Sequence, residues 1–124
     1  MPDSWQEPQT TLATNIIGEL NLLEAVRQAG VQPLIHIAGS SEEYGSVVGE
    51  MPIKETAVLN PLNPYGLSKL VQDLLGLQYH KQYQLRIVRT RAFPHLGPRQ
   101  HEAFVASDFA KQIAEMEKGK SNRR

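Results

Sequence analysis

Cysteine is absent from the 124 residues, which excludes a disulfide framework, a thiolate metal site and a cysteine nucleophile together. Aromatic residues are scarce, at 6% with a single tryptophan, and no basic run is interleaved with them, so no nucleic-acid partner is expected. No apolar run approaches the roughly 18 residues of a membrane span. The first twenty residues carry Asp3, Glu7 and Glu19 and no basic residue, unlike a secretory signal. The four histidines, His36, His80, His95 and His101, lack the paired spacing of metal ligands, so no metal site is expected. These absences describe a soluble, cytoplasmic chain with no membrane partner. With 40% hydrophobic and 21% charged residues, residues 1–124 have the composition of one packed domain.

Charge is zero overall but divided along the chain. Residues 1–64 hold eight acidic side chains against Arg27 and Lys54, whereas residues 65–124 hold eleven basic against five acidic. Solvated helix faces account for most such patterns; the functional reading is a second half that meets a nucleotide diphosphate.

Pro2 and Pro8 mark residues 1–9 as an irregular lead-in. Leu12, Ile16, Leu20, Leu23 and Val26 recur at helical spacing and predict a helix over residues 10–29 with Gly30 as its C-terminal cap. The apolar run at 34–38, bounded by Gly39, reads as a strand buried on both faces, as in a parallel sheet. Residues 40–62 are loop-like. Asn63-Pro64 then supplies an N-cap and a first-turn proline for a helix to residue 82, burying Leu67, Leu70, Val71, Leu74 and Leu75. Residues 85–91 form a second strand, and a final helix over 105–118 carries Phe109, Ile113 and Met116 on one face and ends at Gly119, before a frayed basic tail. Alternation of strands and helices predicts an α/β fold with a parallel sheet.

Tyr65 and Lys69 lie four apart and share a helix face. An ammonium beside a phenol favours the phenolate, and a phenol so tuned passes protons to and from alcohol or carbonyl oxygens. Upstream, Gly39-Ser40-Ser41-Glu42-Glu43-Tyr44-Gly45 follows the first strand, placing hydroxyls where parallel sheets bind ligands.

Four stretches carry a resemblance to a known family: Asn15 to Ala25, the Ser40–Gly45 loop, Asn63-Pro64-Tyr65-Gly66-Leu67-Ser68-Lys69, and Arg91 to Pro98. The chain resembles the extended short-chain dehydrogenase/reductases of the NAD-dependent epimerase/dehydratase group, which act on nucleotide sugars. The run Phe104 to Ile113 resembles first the members that reduce GDP-4-keto-6-deoxymannose, with the GDP-mannose dehydratases next and other epimerase/dehydratases as a further alternative. The resemblance implies part of a Rossmann-type doubly wound parallel sheet, about two strands and three helices of it, in a single incomplete domain spanning 1–124. It implies NAD or NADP as cofactor, a GDP-sugar as substrate and hydride transfer at the sugar C4. In that scheme Tyr65 is the proton donor, Ser40 hydrogen-bonds the same oxygen, Lys69 holds the nicotinamide ribose, and Glu42 is a further acid/base if the reaction is a dehydration. Asn15, His95 and Arg99 fall where the family contacts the nucleotide cofactor. A homodimer through helices 10–29 and 64–82 is implied as well, and a non-catalytic remnant acting as an interaction module is the competing reading.

Two departures limit the match. The nine glycines never fall in the spacing of a dinucleotide-binding turn. Position 94 is proline where the family usually has an asparagine that touches the sugar-nucleotide phosphates, and proline offers neither that amide nor a backbone N–H.

Overall fold

The computed structural model describes residues 3–46 and 51–119. Helix α1 (Asp3–Gln6) and α2 (Pro8–Leu12) occupy the stretch expected to be irregular, because Pro8 takes the first helical position, where its missing N–H costs nothing. The helix expected over 10–29 is one continuous rod in three parts: α2, a π-helical turn (Ala13–Ile17) and α3 (Gly18–Ala29). Gly30 ends it at φ 65°, as the glycine cap predicts.

Strand β1 (Leu34–Ser40) runs into a 3-10 turn (Ser41–Glu43) within the expected loop; α4 (Pro64–Tyr83) and β2 (Arg86–Ala92) follow. The two strands pair in parallel from Leu34 opposite Arg86 to Ser40 opposite Ala92. Ile35, Ile37 and Gly39 of β1 lie level with Ile87, Arg89 and Arg91 of β2 on the face covered by α4. On the opposite face Leu34, His36 and Ala38 are exposed, so the strand expected to be buried on both sides is covered on one. His36 there shares a hydrogen bond of 2.9 Å with Thr90 Oγ1. Leu23, Ile37, Tyr44 and Leu85 are the buried apolar side chains among the described residues.

Helix α4 has three stripes. Gly66, Lys69, Asp73 and Gly76 face the sheet and the turn after β1, at the 3-4-3 spacing of one helix face. Ser68, Gln72 and Tyr79 meet the first helical rod, where Ser68 accepts from Asn15 and Tyr79 donates to Glu24 at 2.6 Å. Leu67 and Leu74, expected in the core, are 45% and 44% exposed. Small residues let the helix approach the sheet closely, and the leucines are left on the outer stripe.

Residues to Phe93 form one compact unit and residues from Pro94 another. The second contains α5 (Val105–Glu117), an ion pair between Lys111 and Glu102, and exposed Phe109 and Ile113. The expected basic tail at 120–124 lies outside the described residues. No described helix is long and apolar enough to cross a membrane.

The same substitution has opposite signs at two glycines. A Cβ on Gly76 would overlap Ile37 Cδ1, whereas one on Gly18 meets nothing within 4 Å. Gly76→Ala therefore destabilises by about 1–3 kcal/mol through overpacking, and Gly18→Ala stabilises by about 0.5–1 kcal/mol through helix propensity. Urea unfolding midpoints of the two variants check this.

Candidate active site

Ser40 closes β1 and caps the 3-10 turn. Its Oγ accepts from the Glu42 N–H at 3.2 Å while its own N–H donates to Glu43 Oε1 at 2.8 Å, a reciprocal capping box. The turn thereby holds the Ser40 hydroxyl at the carboxyl end of a parallel strand. Glu42 points its carboxylate to Asn63, whose Nδ2 donates to Glu42 Oε2 at 2.8 Å. The same asparagine caps α4, its Oδ1 accepting from the Gly66 N–H at 2.7 Å. One amide thus ties the Glu42 carboxylate to the helix that begins with Tyr65.

Tyr65 and Lys69 stand one turn apart, with Lys69 Nζ 5.8 Å from the Tyr65 ring centroid. Lys69 Nζ donates to the Ala38 carbonyl at 3.0 Å, two residues before Ser40. Asn15 reaches α4 from the π-helical turn: its Nδ2 donates to Ser68 Oγ at 2.8 Å, and Ser68 Oγ donates to the Tyr65 carbonyl at 2.7 Å. Ser40, Glu42, Tyr65, Lys69 and Asn15 therefore belong to one hydrogen-bonded assembly of β1, its turn, α4 and the π turn. His95 and Arg99 lie in the second unit, Arg99 at φ 70°.

Beneath this assembly runs an ionic network. Asp73, buried on α4, accepts from Arg89 at 2.7 Å and from Arg91 at 2.6 Å. Arg91 also donates to Glu43 Oε2 at 3.1 Å and to the Glu55 carbonyl at 3.0 Å, with its guanidinium over the Tyr44 ring. Glu43 is wholly buried. Burial pushes its carboxyl above the usual range, against the pull of the Ser40 N–H and Arg91. Burial also opposes the charge on Arg91, yet its bonds to Tyr44 and Asp73 outweigh that and hold it above its ordinary value. Gly39 is glycine because a Cβ would overlap Glu43 Oε1 and the Thr90 carbonyl.

The protein-family model for GDP-mannose 4,6 dehydratase matches residues 1–123. The chain belongs to this family. GDP-6-deoxy-D-mannose reductase of Pseudomonas aeruginosa is 37% identical over 96% of the chain, and GDP-mannose 4,6-dehydratase of Vibrio cholerae is 33% identical over 94%. The chain spans 40% of the length of the first and 31% of the second. A structure of RMD from Pseudomonas aeruginosa complexed with NADPH superimposes with a TM-score of 0.91 at 36% identity, over 98% of this chain and 41% of that one. DesIV, a dTDP-glucose 4,6-dehydratase from Streptomyces venezuelae solved with NAD and TYD, gives a TM-score of 0.80 at 29% identity, over 93% of this chain and 35% of its own. The two parallel strands and their helices are thus part of the Rossmann-type sheet of GDP-mannose dehydratase-like proteins.

Sequence reading missed Glu43, Asp73, Arg89 and Arg91. Two arginines alternating on one strand face and a lone aspartate on an apolar helix were the available signals. Their pairing also removes two cations from the basic half that the sequence offers to a polyanion. Glu19 was missed too: burial pushes its carboxyl up to about 7, partly offset by a hydrogen bond from Gln72 and by Lys69.

Asp73→Ala removes two ion pairs, leaving Arg91 on Glu43 and Arg89 to solvent, and costs about 1.5–3 kcal/mol of stability through the charged hydrogen bonds lost. Arg86→Ala, on an exposed side chain of the same strand, changes stability by less than about 0.5 kcal/mol. Equilibrium unfolding in urea at one pH distinguishes the two.

Proposed function

We propose that residues 1–124 are the catalytic part of a nucleotide-sugar oxidoreductase, one incomplete NAD(P)-binding domain that reduces a GDP-4-keto-6-deoxy-mannose-type substrate at C4. The observation that carries this reading is the Lys69 ammonium on the Ala38 carbonyl, one helical turn from Tyr65 and two residues before Ser40 in the strand. These donors fit the nicotinamide-ribose end of NAD or NADP, the cofactor present in the solved relatives. The 124 residues hold no glycine-rich turn for its pyrophosphate.

A bound reduced nicotinamide supplies the hydride. The protein's part is protonic and positional. Tyr65 gives its phenolic proton to the C4 oxygen as negative charge gathers there, and the Lys69 ammonium stabilises the phenolate left behind. Ser40 Oγ, fixed by the capping box, donates to the same oxygen. His95 and Arg99 are assigned to the nucleotide end of the ligand. Glu42, anchored by Asn63, supports a second reading, GDP-mannose 4,6-dehydration, in which a held carboxylate moves a proton at C5. The protein works in the cytoplasm as a homodimer through helices 10–29 and 64–82, whose exposed Ile17, Leu22, Leu67 and Leu74 provide the apolar surface.

Titration with NADPH, followed by cofactor fluorescence, tests this. Lys69→Met weakens binding at least about tenfold, about 1.4 kcal/mol, and Tyr65→Phe leaves binding intact while lowering turnover by about 10²–10⁴. Absence of binding at millimolar NADPH and NADH favours the non-catalytic interaction module instead.

A further inference from the structure

Ser68 is fully buried where α4 meets the first helical rod, yet no step of the reaction uses it. Its one hydroxyl proton goes to the Tyr65 carbonyl at 2.7 Å, and its oxygen accepts from Asn15 Nδ2 at 2.8 Å. That carbonyl is also the acceptor that α-helical geometry gives to the Lys69 N–H. Ser68 is therefore attached at the backbone link between Tyr65 and Lys69. Asn15 sets the direction of the attachment. An amide N–H given to Ser68 Oγ directs the hydroxyl proton to the carbonyl, and the two bonds strengthen each other. Asn15 stands in the π turn (Ala13–Ile17), an irregularity of a kind that collects at functional sites.

We infer that Asn15 and Ser68 are positioning residues for the Tyr65–Lys69 pair: Asn15 acts through the Ser68 hydroxyl on the first turn of α4 and does not itself hold the cofactor. Resting on the assignment of Tyr65 and Lys69 to the nicotinamide end, this adds the π turn to the parts that aim them. Two exchanges separate the possible roles of Asn15. Asn15→Asp keeps the size and shape of a half-buried side chain but replaces its donor by an acceptor, so the Ser68 proton turns from the Tyr65 carbonyl to the carboxylate. A role in packing alone is unaffected by that exchange. Asn15→Ala removes the donor without adding charge, and a direct contact between Asn15 and the cofactor is lost in it whether or not Ser68 is present.

Two measurements on the whole chain test this. The first follows the Tyr65 carbonyl carbon by NMR, without cofactor, in the wild type, Asn15→Asp and Ser68→Ala. The inference expects the resonance to move upfield in both variants, as a hydrogen bond to that oxygen is lost. An unmoved resonance in Asn15→Asp overturns it, and that variant decides alone where Ser68→Ala does not fold. The second measures NADPH affinity around a cycle of Asn15→Ala and Ser68→Ala. Each single variant binds at least about threefold more weakly than the wild type, and the double variant stays within about twofold of Ser68→Ala. Unchanged affinity in the single variants overturns the inference. A loss that Asn15→Ala still causes beside Ser68→Ala assigns Asn15 to the cofactor itself and overturns it as well. Absence of NADPH binding in the wild type counts against the cofactor assignment, while the carbonyl resonance still decides whether Asn15 acts through Ser68.

Discussion

Asp73 accepts from two arginines of one strand, and one of them, Arg91, extends the network to the wholly buried Glu43. This arrangement joins three pieces of chain that hydrophobic burial alone does not align: α4, β2 and the turn after β1. Buried charges are costly unless each is answered, and here each carboxylate has a guanidinium and Arg91 has a carbonyl and a ring besides. Registry follows from the geometry. A slip of β2 by one residue would turn Arg89 and Arg91 to the opposite face and leave Asp73 and Glu43 uncompensated.

With Glu43 fixed, the Ser40 N–H has its acceptor, the capping box closes and the hydroxyl is held at the strand end. Asn63 performs the matching task from the other side, capping α4 and holding Glu42 with one amide. The hydrogen-bonded assembly of β1, its turn and α4 is therefore supported from beneath by ion pairs and flanked by a cap. The apolar contribution is modest, because one face of the sheet is covered and Leu34, His36 and Ala38 on the other are exposed.

Local signals were legible in the sequence. The Asn63-Pro64 start, the Gly30 cap and both strands follow from side-chain chemistry within a few residues, and the Tyr65–Lys69 pair follows from helical spacing. The face of α4 was misjudged because periodicity ranks leucines as core, while the sheet here accepts Gly66, Asp73 and Gly76. The ionic network joins residues 16 to 48 apart, a separation at which no periodic pattern exists. The π turn that brings Asn15 to Ser68 has no mark in composition or spacing either. The family resemblance names Asn15 only as a neighbour of the cofactor, whereas its Nδ2 here donates to Ser68.

The central claim is that the strand end of β1 and the first turns of α4 together receive the nicotinamide end of a dinucleotide. Mapping backbone amide shifts of the isotopically labelled chain during NADPH addition addresses it most directly. The account predicts saturable changes concentrated at Ala38–Glu42 and Tyr65–Lys69. Changes confined to other segments, or none at millimolar cofactor, would contradict it.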